Sequence, residues 1–268
     1  MIELYHFPFS TCSQKVRLVL AEKGRQFVSH EVDIIGGRQH DPEYVKLNPM
    51  HVVPTLVHDG HVLVESSLII RYLDDLFLDP PLRPTDALGR YEADRWIKRV
   101  DEELHPAAPT VTFAIGPRPI LLQQPAEVRE ASLAAIPDAL QRATRRSVLE
   151  HGVQAPEFAG ALRVFLAVLD DMETALAARP WLAGQHFGLA DATVFPYVLR
   201  LEHLAMDALL GPPARPRVAD WVQRVKARPS YETAVASWSA PAVVEMMRGN
   251  GQVVWPEVEP LTRAVPAA

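Results

Sequence analysis

Apolar and polar positions follow two rhythms along this chain, and the change from one to the other falls near residue 77. Residues 2–7 read as a short strand, followed by Pro8-Phe9-Ser10-Thr11-Cys12-Ser13 and a helix that Gly24 stops. Cys12, Val16, Val19 and Leu20 recur at helical spacing, a stripe that places Cys12 among core residues. β-branched and apolar residues return across Phe27–Asp33 as a second strand, which Gly36-Gly37 breaks. Asp41-Pro42 reads as an N-cap with proline in the first helical turn, opening a short helix to Asn48-Pro49.

The stretch from His51 to Ser67 then reads as two strands joined by Asp59-Gly60, a hairpin turn pair. Pro54 opens the first of them, although proline cannot donate to a strand ladder. Ser66 is the expected N-cap of a helix carrying Leu68, Ile69, Tyr72, Leu73 and Leu76 on one face. The order β-α-β-α-β-β-α over residues 1–76 predicts a compact α/β domain.

Residues 77–85 are proline-rich and suit a linker. Beyond them strand signals fade. Ala93, Ile97, Val100 and Leu104 predict a helix that Pro106 and Pro109 should end. Phe158 through Leu176 predict a long helix, and Val194 through Leu204 another, kinked at Pro196. Val218, Trp221, Val222 and Val225 mark a shorter one. A long insert spans 113–156, with an amphipathic stretch at 126–150 interrupted by Ile136-Pro137. The tail after Tyr231 shows weaker periodicity and ends in a Pro/Ala-rich segment expected to be disordered. Residues 86–268 thus read as an all-helical bundle.

Composition narrows the function classes. A hydrophobic fraction of 48% supports sizeable cores, and a formal net charge of −6 argues against a nucleic-acid binder. Ten histidines include no pair at the spacing of a metal site. One cysteine excludes an internal disulfide and fits a reducing compartment. The absence of a membrane-length apolar run, and an N-terminus that enters a strand at once, set a cytoplasmic expectation with no membrane partner.

Several motifs in order carry a resemblance. Residues 4–20, Leu-Tyr-His-Phe-Pro-Phe-Ser-Thr-Cys-Ser-Gln-Lys-Val-Arg-Leu-Val-Leu, resemble the first strand and helix of the zeta-class glutathione transferases. Leu47-Asn-Pro-Met-His-Val-Val-Pro-Thr-Leu56 resembles their Asn-Pro-x-x-x-Val-Pro-x-Leu signature, and Glu65-Ser66 with Ile70 and Tyr72-Leu73 resembles Glu-Ser-x-x-Ile-x-x-Tyr-Leu. Pro180-Trp-Leu-Ala-Gly184 followed by Leu189-Ala-Asp191 resembles the bundle's folding motif, with Gly188 where the family usually has Ser or Thr. In the bundle, Trp96-Ile-Lys-Arg-Val-Asp-Glu and the long insert look similar to bacterial β-etherase-like transferases.

The resemblance implies a thioredoxin-like domain at 1–76, a linker at 77–85 and an all-helical domain at 86–268 carrying the acceptor pocket. It implies a glutathione transferase that attacks a hydrophobic, aromatic electrophile, acts as a homodimer and serves detoxification. Glutathione would bind through Thr11, Gln39, His51, Val53, Pro54, Glu65 and Ser66. Val53 would pair with the cysteinyl backbone, Ser66 and the start of its helix would take the γ-glutamyl carboxylate, and Glu65 its ammonium. Ser10 aligns with the zeta-class serine that hydrogen-bonds sulfur and lowers the thiol pKa. Cys12, with mixed-disulfide chemistry, and Ser13, with β-etherase chemistry, stay open as alternatives. A non-catalytic glutathione-binding module is the reading from another class. Trp96, Phe113 and Arg118 are candidates to line the acceptor pocket, and Asp191 is structural.

Overall fold

The computed structural model describes residues 1–263; the Pro/Ala-rich end expected to be disordered lies outside them. The first part of the chain folds in the expected order: β1 (Ile2–His6), α1 (Thr11–Glu22), β2 (Val28–Glu31), α2 (Pro42–Leu47), β3 (Thr55–His58), β4 (His61–Leu63) and α3 (Ser66–Leu76). The four strands lie in the order β2-β1-β3-β4, with β1 parallel to β2 and antiparallel to β3. This mixed sheet is the arrangement of a thioredoxin-like domain. Leu4 and Leu56 pair across it and are fully buried, as are Val16, Val19 and Leu20 of α1 and Ile69, Ile70 and Leu73 of α3. Each such side chain contributes about 1.5–3 kcal/mol on burial. A second apolar cluster of Val32, Tyr44 and Val53, with Tyr5, Phe7 and Ile34 against it, involves α2 and the loop before β3.

The remainder is helical: α4 (Ala87–Arg99), α5 (His105–Ile115), α6 (Arg118–Leu122), α7 (Ala126–Ala134), α8 (Ala139–His151), α9 (Pro156–Ala178), α10 (Leu189–His203), α11 (Pro216–Lys226), α12 (Pro229–Ala234) and α13 (Pro241–Arg263). By contacts the chain forms two compact units. One comprises Met1–Lys98, Ala175–Pro196 and Asp220–Ala240; the other comprises Arg99–Thr174, Tyr197–Ala219 and the chain from Pro241 onward.

In the first unit, Trp221 and Phe195 are buried, and the Phe195 ring meets those of Trp221 and Tyr231 edge-on. In the second, α9 buries Phe158, Leu162, Phe165, Leu166, Leu169 and Met172, α5 packs on α8 and α13, and Gly251 lies against the Leu204 carbonyl, where a Cβ would sit 1.9 Å from oxygen. Among the described residues no single helix is long and apolar enough to cross a membrane.

Three expectations are corrected. Pro106 and Pro109 do not end a helix: a π-helical segment, Val100–Leu104, joins α4 to α5, and His105 N–H bonds Val100 O in an i→i+5 pattern. Widening the turn just before Pro106 displaces the backbone acceptors that its missing N–H would otherwise leave unmatched. The tail after Tyr231 is not irregular: α13 runs for 23 residues through Pro256 and Pro260. Finally, Ser66 is the first residue of α3, and Glu65 holds the cap position.

Trp96 donates its indole N–H to Leu182 O at 3.0 Å. Arg118 donates to Leu149 O at 3.0 Å, closing the end of α8, and Phe113 is covered by the Arg145 guanidinium at 3.9 Å. All three side chains are engaged in packing or capping.

Candidate active site

The end of β1 turns sharply into α1. Ser10 N–H bonds Phe7 O at 3.1 Å, and Ser10 caps the helix in extended backbone (φ −70°, ψ 120°) by accepting Ser13 N–H at 3.2 Å. Thr11 and Cys12 occupy the first helical positions, both half-buried. Cys12 is therefore only half-buried and does not join Val16, Val19 and Leu20 in the fully buried core. Ser13 is fully buried and its Oγ accepts Phe7 N–H at 3.3 Å. The three candidate nucleophile partners differ in access. Ser10 and Cys12 reach the surface; Ser13 braces the turn from beneath.

The Val53–Pro54 peptide is cis, and Pro54 immediately precedes β3. The loop around it is held by Asn48, the first residue of the Asn-Pro motif, and by Tyr44, which the sequence did not single out. Tyr44 Oη donates to Val52 O at 2.5 Å, Asn48 Nδ2 donates to Val52 O at 2.9 Å and to Thr55 Oγ1 at 3.0 Å, and the Thr55 hydroxyl lies 3.0 Å from Tyr44 Oη. If Tyr44 uses its proton on Val52, then Thr55 donates to Tyr44, and every atom of the triangle is satisfied. Burial pushes the Tyr44 phenol upward, so it keeps that proton at neutral pH.

On the same side, His51 and His40 meet at 3.1 Å between Nδ1 atoms, and Gln39 lies 3.2 Å from His40 Nε2. Gln39 and His51 are thus brought together, with His40 as the intermediate that the motifs did not mark. His51 has φ 57° and Glu65 φ 68°. Left-handed backbone in a non-glycine residue costs about 1–3 kcal/mol and gathers at functional sites.

Glu65 is exposed, while its carbonyl accepts Leu68 N–H and Ile69 N–H, each at 2.9 Å, to start α3. Ser66 stands in the first turn, where backbone N–H groups point along the helix axis and favour an anion. Lys15 of α1, fully buried, donates to Ser67 Oγ at 2.9 Å and ties the α1 and α3 helices together. A cavity of about 770 Å³ lined by Pro84, Trp181, Phe187 and Arg228 includes none of these residues. Among the described residues no group of three or more His, Cys, Asp or Glu side chains gathers as a metal site would require.

Asp191 is fully withdrawn from water. Its Oδ1 accepts Leu182 N–H at 3.0 Å and Trp221 Nε1–H at 2.8 Å, and its Oδ2 accepts Gly188 N–H at 3.1 Å. Gly188 replaces the usual Ser or Thr for a steric reason: a Cβ there would lie 2.5 Å from Leu82 O, which accepts Leu189 N–H at 2.8 Å.

The pattern "Glutathione S-transferase, N-terminal domain" matches residues 4–81, and "Glutathione S-transferase, C-terminal domain" matches 127–224. Glutathione S-transferase 3 of Zea mays is 30% identical over 90% of this chain and 96% of its own. The chain belongs to the glutathione S-transferase family. The transferase is also 29% identical to the tetrachloro-p-hydroquinone reductive dehalogenase of Sphingobium chlorophenolicum, over 87% of this chain and 95% of that one. The β-etherase LigF from Sphingobium sp. strain SYK-6 superposes with a TM-score of 0.77 at 28% identity, covering 87% of this chain and 98% of LigF. The chain is an enzyme of the transferase family, whose co-substrate is glutathione.

Proposed function

We propose that this transferase binds glutathione along the Val53–Pro54 loop and the start of α3 and holds its sulfur as thiolate with the Ser10 hydroxyl. The observation that carries this is the Ser10 cap. Its oxygen already accepts Ser13 N–H, which leaves the O–H to donate toward sulfur at the start of a helix, where partial positive charge favours an anion. A free thiol near pKa 8.5 is mostly protonated at neutral pH, and a donated hydrogen bond shifts that balance.

Val53 would pair backbone to backbone with the cysteinyl unit. Ser66 and the α3 N–H groups would receive the γ-glutamyl carboxylate, Glu65 its ammonium, and Gln39 and His51 the glycine end, with Thr11 beside the sulfur. The thiol proton passes to solvent, sulfur forms a bond to an electrophilic carbon, and the leaving group departs with its electron pair. The acceptor we favour is aromatic and hydrophobic, consistent with the dehalogenase and β-etherase named above. Such chemistry serves detoxification, and a lone half-exposed thiol suits a cytoplasmic, reducing setting.

We further infer a homodimer. Leu68 and Tyr91 are exposed at 57% and 58%, and the Arg71–Asp94 ion pair at 2.9 Å brings α3 and α4 side by side, so both project from one face. Leu68→Glu should shift sedimentation to the monomer; an unchanged dimer would move the interface elsewhere.

The half-exposed position of Cys12 supports thiol–disulfide exchange as a second reading. Ser10→Ala and Cys12→Ser, each assayed on a conjugation substrate and on a glutathionylated disulfide, separate the two. Conjugation should fall only in Ser10→Ala. Disulfide reduction lost only in Cys12→Ser would establish the second reading in its place.

A further inference from the structure

Arg17 is 1% exposed, yet no carboxylate touches it. Its guanidinium instead collects backbone. Nε donates to Ala234 O at 2.7 Å, Nη2 to Pro8 O at 2.9 Å, and Nη1 lies 2.9 Å from His6 Nδ1 and 3.4 Å from Phe7 O. Its face lies 5.2 Å from the centre of the Trp238 ring. An arginine placed mid-helix and desolvated this fully is costly unless its donors are needed where they are.

The acceptors identify the need. Phe7 O is the same carbonyl that receives Ser10 N–H, so one hydrogen bond separates Arg17 from the backbone of Ser10. Pro8 O is shared with Gln14 Nε2 at 3.3 Å. The Phe7 and Pro8 carbonyls of the turn that delivers Ser10 are therefore both held by Arg17.

Chemistry fixes the partner as well. Arginine only donates, so His6 Nδ1 must be the accepting nitrogen, and Nε2–H donates to Ser29 Oγ at 2.8 Å. Burial, then the neighbouring Arg17 and His30 charges, hold His6 neutral down to about pH 3. A protonated His6 would turn an N–H against the guanidinium. His6 thus stays an acceptor across the range in which thiolates form, while burial lowers the Arg17 guanidinium itself to about 9 against the raising charge of Glu31, so the clamp is held below that pH. A lysine could not substitute, since a single ammonium cannot span carbonyls on both sides of a planar fork.

We propose that Arg17 is a positioning residue of the reaction: it sets the place of the Ser10 hydroxyl by clamping the Phe7 and Pro8 carbonyls, and ties that turn to the Ala234–Trp238 segment. The proposal rests on Ser10 as the sulfur partner. The test follows the absorbance of bound glutathione thiolate as pH is raised, beside steady-state rates, in Arg17→Lys and in Trp238→Leu, whose half-buried site spares the fold. In Arg17→Lys the bound thiol should titrate at higher pH and kcat below that pH should fall about tenfold, the scale of a displaced catalytic group. KM for glutathione should stay within about threefold, because the binding groups are untouched. Trp238→Leu should shift the titration in the same direction by less.

Lowered thermal stability with an unchanged thiol titration, in whichever of the two variants folds, would overturn the proposal and leave Arg17 a purely structural residue. A Ser10→Ala control separates the layers. If it leaves the thiol titration unaltered, the Ser10 reading fails; if it raises the titration and neither variant does, only the Arg17 clamp fails.

Discussion

Lys23 and Asp74 form a buried ion pair, Nζ 2.6 Å from Oδ1, that joins the end of α1 to the end of α3. Lys23 also donates to Phe77 O and Pro80 O, and Asp74 accepts Leu82 N–H and Arg83 Nε, so the segment after α3 is wired to the sheet domain at both charges. Burial opposes ionisation of Asp74, but the bonds from Lys23 and Arg83 outweigh it and hold the carboxyl below its usual range. Lys23→Met should lower unfolding free energy by less than the ~3–5 kcal/mol of a buried charge left alone, since Asp74 keeps Arg83 and the Leu82 N–H. Urea unfolding followed by tryptophan fluorescence would measure this.

The pH dependence of stability should show two opposing contributions. Asp74, depressed in the folded state, contributes stability above the ordinary carboxylate pKa, and this is lost as pH falls below about 4. Asp191 acts with the other sign. Complete burial pushes it up to about 6 despite its three donors, so its contribution is full at low pH and is lost as pH rises from about 4 toward 6. Asp191→Asn should be less stable overall, because its amide turns a donor toward Gly188 or Leu182. The Tm difference from wild type should shrink as pH is raised through that window. A difference constant from pH 4 to 7 would show that Asp191 does not titrate there.

Gly188→Ala should be destabilised by about 1–3 kcal/mol, the usual scale for forcing atoms into an occupied space. Gly160 of α9 gives the matched control: a Cβ there meets nothing within 4 Å, and alanine should gain up to about 1 kcal/mol of helix propensity. Paired thermal unfolding curves of the two variants give opposite shifts on this account.

Tyr44→Phe removes the donor to Val52 O without changing packing volume. Because that bond shapes the cis-proline loop and not the sulfur site, KM for glutathione should rise several-fold with kcat nearly unchanged. A fall in kcat at saturating glutathione would mean the loop also governs the reacting geometry.

Much of this was legible in the sequence, and where it was not the reasons are local. The strand and helix order followed from two periodicities, and the segments around Val53–Pro54 and Glu65–Ser66 followed from motifs. Cys12 was misplaced because periodicity extends a stripe into the first helical turn, where Cys12 is only half-buried. Glu65 took the cap position expected of Ser66 because the cap here depends on a left-handed φ and a backbone carbonyl, not on a side-chain oxygen. Pro106 was read as a stop because a π segment leaves no mark in residue spacing. Arg17 and Tyr44 went unmarked because their partners are mostly backbone carbonyls, which carry no sequence signal.

The bond between Arg17 and Ala234 joins positions 217 residues apart. During synthesis the α/β segment leaves the ribosome well before Ala234 and Trp238, which supply two of the contacts around the Ser10 turn. A nascent or truncated protein lacking residues beyond 233 could pair its strands and still present Ser10 loosely. Arrival of the 234–238 segment, rather than completion of the sheet, would then be the moment at which the Ser10 turn is fully held.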